Sequence, residues 1–207
     1  MCDDEIVLNY HNSLLRKSDV DLLRNPHCWL NDRLIGFWFE YLENSNLNDS
    51  SLCLICPEVA QFIKLGELPE TSAFVDPLDL NSRSLVLLPV NDSMSLDHPG
   101  GSHWSLLVYD CFAKKSYHFD SLIGSNLNHA KKIAYNLNLS KEFVEVRCTQ
   151  QQNSYDCGVF VCCNAENVVK YCSVNKGELK SLPLLSIDVF ENQRNHMLQV
   201  VTTLSCK

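Results

Sequence analysis

Apolar and polar positions first mark out two short extended pieces over residues 6–18, joined by a polar turn at His11-Asn12. Ser18 or Asp19 can cap a short helical turn carrying Leu22 and Leu23. After the loop Pro26-His27-Cys28, apolar residues at 30, 34, 37, 38, 41 and 42 recur at helical spacing. They predict a broad aromatic helix face capped by Asn31 or Asp32. A polar loop over 44–51 leads to a helix over 57–64, with Pro57 in its first turn and Gly66 closing it. A further short helix is expected within 69–77.

The pattern then changes. The nearly continuous apolar run over 84–90 suits a strand buried on both faces, with an irregular end at Pro89, which lacks an N–H. A long loop from Asn91 to the pair Gly100-Gly101 follows. Strands are expected over 103–109 and 116–120 with a turn between them, a helix over 128–139, and an alternating strand over 143–147. Polar Gln151–Gly158 runs straight into Val159-Phe160-Val161-Cys162-Cys163, which marks a loop ending and a buried helix over 157–170 beginning at Cys157. A polar link over 175–182 precedes C-terminal helix, in one piece or two, over 184–204. Helices, then strands, then one buried helix give an α+β fold: one domain, 1–207, with a central, mostly antiparallel sheet flanked by helices.

Composition narrows the function. The 207 residues are 45% hydrophobic and 20% charged, enough for a well-cored domain and too apolar for a disordered chain. A formal net charge of -8 argues against broad binding to nucleic acid or anionic membranes and suits a partner with a basic patch or tail. No apolar run reaches the ~18 residues of a membrane span. The acidic start Met1-Cys2-Asp3-Asp4-Glu5 is neither a secretory signal nor a transit peptide. The 11 cysteines are odd in number and irregular in spacing, so reduced thiols in the cytosol or nucleus are expected. Cys53-x-x-Cys56 lacks a second pair at zinc-finger spacing and reads as packing or surface thiols; no metal and no cofactor is expected.

The chemistry gathers at Cys157. A cysteine that opens a helix has free backbone N–H groups and the positive end of the helix dipole beside its sulfur, and both favour the nucleophilic thiolate. An inert core cysteine would fit the same octapeptide. A reactive thiol also needs a base and a group that orients the base. If the two central strands form an antiparallel hairpin, His103 at the start of one lies beside Asp120 at the end of the other. Asp110, the rival carboxylate, falls at the far end of the His103 strand. Gln151, upstream of the cysteine, can reach back with its amide and form an oxyanion hole with the Cys157 N–H. Trp104 is either core or the cover of a narrow substrate channel. Trp29, in a loop before a helix cap, is less easily read as core. His118 reads as structural.

These residues carry a resemblance. Trp29-Leu30-Asn31-Asp32, His103-Trp104-Ser105-Leu106-Leu107-Val108, Phe119-Asp120-Ser121 and Gln151-x-Asn153-x-x-Asp156-Cys157-Gly158 together resemble the Ulp/sentrin-specific cysteine proteases. The likeness spans the chain from Ile6 to the last helix. It is greatest to the small deneddylase member, through Ser13–Val20, Ile35-Gly36-Phe37, Gly100–Trp104 and Gln150–Gly158. SUMO-directed members usually have Asn-Gly where this chain has Asn153-Ser154. The resemblance implies a papain-like fold, permuted so that the order is His, Asp, Cys. It implies a thiol protease that cleaves after the C-terminal diglycine of the neddylation modifier, both in precursors and in conjugates such as cullins, and that acts as a monomer. Trp29 and Trp104 would roof a channel that admits only glycine. Asp32 would contact the modifier's tail, and the loop that begins at Asn91 and Asp92 would close on the modifier. A SUMO-specific protease and an inactive modifier-binding module are the alternatives.

Overall fold

The computed structural model describes residues 4–45, 51–66, 75–96, 98, 100–138, 142–174 and 179–206. Strands β1 (Ile6–Tyr10) and β2 (Ser13–Arg16) form a small antiparallel ribbon, turned at His11 with a φ of 49°. Helix α1 (Lys17–Arg24) starts earlier than expected. Ser18 and Asp19 lie inside its first turn, and Asp19 reaches back to accept the Arg16 N–H at 2.9 Å. The other oxygen of buried Asp19 accepts from Asn31 Nδ2 at 2.7 Å. Asn31 Oδ1 then accepts the Leu34 N–H at 3.0 Å, which caps α2 (Asp32–Ser45).

The main sheet runs β3 (Leu52–Leu54), β4 (Leu85–Asn91), β5 (Trp104–Asp110), β6 (Lys115–Phe119), β7 (Glu142–Val146). It is mixed. The β4–β5 and β5–β6 pairings are antiparallel, and the outer pairings β3–β4 and β6–β7 are parallel. β3 carries only Leu-Cys-Leu and was hidden at the edge of a polar loop. Pro89 sits within β4, opposite Leu106. Leu87 offers its carbonyl to Ile55 N–H, so alternate residues of β4 face the β3 edge. Since β3 ends at Leu54, Pro89 withholds no needed donor there. The short helix expected within 69–77 falls mostly on residues outside those described; 76–78 and 80–82 form single 3-10 turns.

Period-2 alternation divides the sheet between two cores. Leu85, Leu87, Leu106, Val108, Tyr117 and Phe119 face α2, α5 (Cys157–Val174) and α6 (Ile187–Ser205). Val86, Leu88, Val90, Leu107 and Tyr109 face α3 (Pro57–Leu65) and α4 (Leu127–Asn136). The first turns of α5 are apolar all round because the helix is covered on every side: Val159, Phe160, Val161, Cys162 and Cys163 are all buried. Gly158 permits close packing at the start of this helix. A Cβ there would come within 3.0 Å of the Leu30 Cβ, so its absence lets α5 press against the segment that follows Trp29.

Candidate active site

The β5–β6 hairpin brings His103 and Asp120 together at one rim of the sheet. His103 Nε2 donates to Asp120 Oδ1 at 2.6 Å, and both side chains are buried. Asp120 is also held by backbone. The Leu122 N–H donates to Oδ1 at 3.0 Å, and the Asn126 N–H donates to Oδ2 at 3.0 Å. Burial alone would raise the Asp120 carboxyl, but these hydrogen bonds and the His103 charge outweigh it and hold the group below its ordinary range. The opposite balance acts on His103. Burial lowers it, and the hydrogen bonds and charges of Asp120 and Cys157 overcome this and raise it to about 9. With Nε2 committed to Asp120, Nδ1 is left for the Cys157 thiol.

Cys157 opens α5 and is 2% exposed. Its approach loop is folded by Asn153, whose Oδ1 accepts the Tyr155 N–H at 3.1 Å and the Asp156 N–H at 3.0 Å. Asn153 Nδ2 donates to Asp156 Oδ2 at 2.8 Å. The other Asp156 oxygen takes a 2.8 Å bond from Arg194 Nη2, on α6. Arg194 is 7% exposed, and its guanidinium also donates to the carbonyls of Leu22, Asn25 and Cys28, the last at 2.6 Å. The segments around residues 27–29 and 153–156 are thereby joined. Trp29 Nε1 donates to the Ser154 carbonyl at 2.8 Å, and the His27 ring meets Tyr155 edge-on at 5.1 Å. In the sequence Arg194 looks like one more polar position on a terminal helix, and His27 has no visible partner. Only the fold joins them to the site.

A cleft of about 500 Å³ leads to His103. Trp29, Asp32, Gly100, Gly101 and Trp104 are among its lining residues, and Trp29 is 47% exposed. A larger groove of about 680 Å³ lies between β2, α2 and α3 and shares Glu58 with the cleft. His103 lines the smaller cleft and not this groove, so the smaller cleft is the one that bears on the chemistry.

Asn91 and Asp92, expected to meet a partner, turn their side chains onto their own loop. Asp92 Oδ1 accepts the Ser102 N–H at 2.6 Å and the His103 N–H at 3.1 Å, and Oδ2 accepts from Ser102 Oγ at 2.6 Å. Asn91 Oδ1 accepts the Ser93 N–H at 2.7 Å. Gly101 closes the loop at a φ of 90°, and a Cβ there would lie 2.0 Å from Asn91 Oδ1, so only glycine fits. Lys64, 1% exposed at the end of α3, donates to the carbonyls of Asn91 and Ser93, the latter at 2.6 Å. Burial brings its amine down to about 8, against the pull of Asp92. Gln61 Nε2 donates to the carbonyls of Ser93 and Ser95, each at 3.0 Å. Sequence alone marked neither α3 residue as part of the site.

His118 donates or accepts with Ser105 at 2.9 Å inside the sheet, and burial brings it down to about 4, so it is a neutral structural histidine. Asn126, fully buried, does not cap α4 with its side chain. It donates instead to the carbonyls of Val90 at 3.0 Å and His103 at 3.2 Å. Asp110 accepts from the Phe112 and Ala113 N–H groups at the far end of β5, away from His103.

A thiol at a helix start, beside a histidine held by a carboxylate, is the layout of a cysteine protease. Residues 67–200 match the C-terminal catalytic domain of the Ulp1 protease family. The chain belongs to that family. Human sentrin-specific protease 8 is 43% identical over 99% of this chain and 100% of its own length. Arabidopsis thaliana NEDD8-specific protease 1 is 36% identical over 83% of this chain and 78% of its own. Among solved structures, the C-terminal Ulp1 protease domain in complex with Smt3, the yeast ortholog of SUMO, superposes with a TM-score of 0.77 at 19% identity. That match covers 100% of this chain and 91% of the other and carries the fold. As a member of the family the chain is a cysteine-type protease. Among the described residues, no helix is long and apolar enough to cross a membrane.

Proposed function

We propose that this protease cleaves after the C-terminal diglycine of the neddylation modifier NEDD8, both to mature its precursor and to release it from lysines of target proteins. The carrying observation is the His103–Asp120 pair at 2.6 Å beside Cys157, at the end of a cleft lined by Trp29 and Trp104. Relatives of full-length similarity named as sentrin-specific protease 8 and NEDD8-specific protease support this choice of modifier over SUMO.

In this reading Cys157 Sγ attacks the carbonyl carbon of the terminal glycine. The oxyanion forms against the Cys157 N–H and the Gln151 amide. His103, protonated and oriented by Asp120, gives its Nδ1 proton to the departing amine as the C–N bond breaks. The thioester left on Cys157 is then hydrolysed. His103 takes a proton from water, the hydroxide adds to the thioester carbonyl, and the thiolate departs to leave the modifier's carboxylate. Trp29 and Trp104 confine the tail, which suits glycine because any side chain would meet an indole. Asp32, at the exposed start of α2, faces the same cleft and contacts the tail. Asn91 and Asp92 shape the loop that closes on the modifier's body.

The reading extends to one catalytic domain over 1–207, a monomer in the reducing cytosol or nucleus, with cullin conjugates among its substrates. C-terminal vinyl-sulfone forms of NEDD8, SUMO and ubiquitin test it. A covalent adduct with NEDD8, absent in Cys157→Ala, is expected. Preferential adduct formation with SUMO would overturn the choice of modifier, and binding without an adduct would make the chain a binding module.

A further inference from the structure

Asp120 is followed by Ser121, which the reaction as written does not use. Ser121 is 3% exposed, and its hydroxyl donates to Gln151 Oε1 at 2.7 Å. Its carbonyl accepts the Gln151 N–H at 3.0 Å. A glutamine amide offers one oxygen acceptor and two N–H donors, and rotation by half a turn exchanges them. Here the oxygen is tied to Ser121, so Nε2 occupies the other position. One of its N–H groups goes to the Asn153 carbonyl at 2.7 Å, and no partner among the described residues takes the second. Gln150 reinforces the same junction, donating to the Asp120 carbonyl at 2.9 Å and accepting the Ile123 N–H at 3.1 Å.

We propose that Ser121 is a positioning residue for the oxyanion donor: its hydroxyl, acting with the Asn153 carbonyl, holds the Gln151 amide so that its N–H end faces the reacting carbonyl. The proposal rests on the reading of Gln151 given above. With the hydroxyl removed, the amide oxygen loses its donor, and the Asn153 carbonyl alone still holds the amide in this orientation. In the flipped orientation the amide oxygen faces the developing oxyanion and repels it. Asp120 and Ser121, adjacent on one strand end, then serve two parts of the reaction: one orients the base, the other the oxyanion donor.

A merely structural serine would disturb binding and turnover together, whereas a positioning serine acts in the transition state alone. The test measures kcat and KM on a NEDD8 C-terminal fluorogenic amide for wild type, Ser121→Ala, Ser121→Thr, Gln151→Ala and the Ser121→Ala/Gln151→Ala double variant. Loss of one oxyanion donor lowers kcat by about 10²–10³. Ser121→Ala, which misorients the donor without deleting it, is expected to lower kcat about tenfold, with KM within about twofold. Ser121→Thr keeps the donor and is expected to recover most of the rate. In the Gln151→Ala background, Ser121→Ala should cost no more than about twofold, because the group it positions is gone. Affinity for a NEDD8 C-terminal aldehyde, whose adduct mimics the tetrahedral species, should fall with kcat, while binding of mature NEDD8 holds. An unchanged kcat in Ser121→Ala, or the same loss with and without Gln151, overturns the proposal. If Gln151→Ala keeps full kcat, the oxyanion reading fails as well, and loss of turnover in Cys157→Ala still distinguishes that failure from failure of the protease reading.

Discussion

Arg194→Met removes a guanidinium that ties the last helix to both segments flanking the site. Four bonds go with it: to the carbonyls of Leu22, Asn25 and Cys28, and to Asp156 Oδ1 at 2.8 Å. Deleting one partner of a fully buried ion pair costs about 3–5 kcal/mol, mostly through the charge left behind. Asp156 keeps its bond from Asn153 Nδ2, and its side chain is 23% exposed, so water can replace part of what is lost. The carbonyls of Asn25 and Cys28 lie in a largely exposed loop and rehydrate readily. The cost is therefore expected near the lower end, about 3 kcal/mol, which for a chain of this size lowers Tm by about 6–12 °C. The functional effect should exceed that of a remote mutation with equal Tm loss. The 25–29 segment carries Trp29, and the 153–156 segment carries the backbone that leads into Cys157. KM for the NEDD8 amide should rise about tenfold, equivalent to about 1.4 kcal/mol of binding. Arg194→Lys keeps a charge near Asp156 but loses the planar fork, and should fall between the two. The assay is a urea or thermal melt beside steady-state kinetics well below the melting range. A Tm within about 2 °C of wild type and an unchanged KM would refute the argument that Arg194 joins these segments.

The His103 balance predicts an alkaline limb in kcat/KM near pH 9, with Asp120→Asn moving it down by more than about one pH unit. Because His103 is raised above its ordinary 6.5, the stabilisation it draws from its partners is complete below about pH 6.5 and lost as pH rises through about 9. An alkaline limb that does not move in Asp120→Asn, followed from pH 6 to 10, would count against the pairing. Gly101→Ala forces a Cβ onto Asn91 Oδ1 at a positive φ, so KM should rise at least tenfold, or about 1.4 kcal/mol, while Cys157 still alkylates. Equal KM values would show that the loop tolerates another closure. Lys64→Met takes the ammonium donor from the Asn91 and Ser93 carbonyls, of which Ser93 keeps its bond from Gln61 Nε2. It should raise KM severalfold, with kcat nearly unchanged and stability altered by less than about 2 kcal/mol, because an apolar side chain also avoids burying an ammonium. A drop confined to kcat would place Lys64 in a different role.

What sequence made legible was local pattern and short-range topology. Two short strand-like stretches on either side of the turn at residues 111–114 marked β5 and β6, and assuming antiparallel pairing between them was enough to place His103 against Asp120. The switch from polar loop to apolar run located the start of α5 at Cys157. Contacts made by ordinary-looking residues at long separation were not legible. Arg194 reaches Leu22 across 172 positions, and Lys64 reaches Asn91 across 27; in both cases the partner is a backbone carbonyl, which has no sequence signature. β3 is too short to show a period, and it is a strand because Leu85–Leu87 offers it an edge. Asn126 sits where an N-cap belongs, yet the sheet outcompetes the helix for its amide.

The most direct measurement is hydrolysis of C-terminal fluorogenic amides of NEDD8, SUMO and ubiquitin by wild type and by Cys157→Ala. The account predicts release from NEDD8 with strong preference over the other two, and none by the variant. Equal turnover by Cys157→Ala would contradict the proposed nucleophile, and preferential cleavage of SUMO would contradict the proposed substrate.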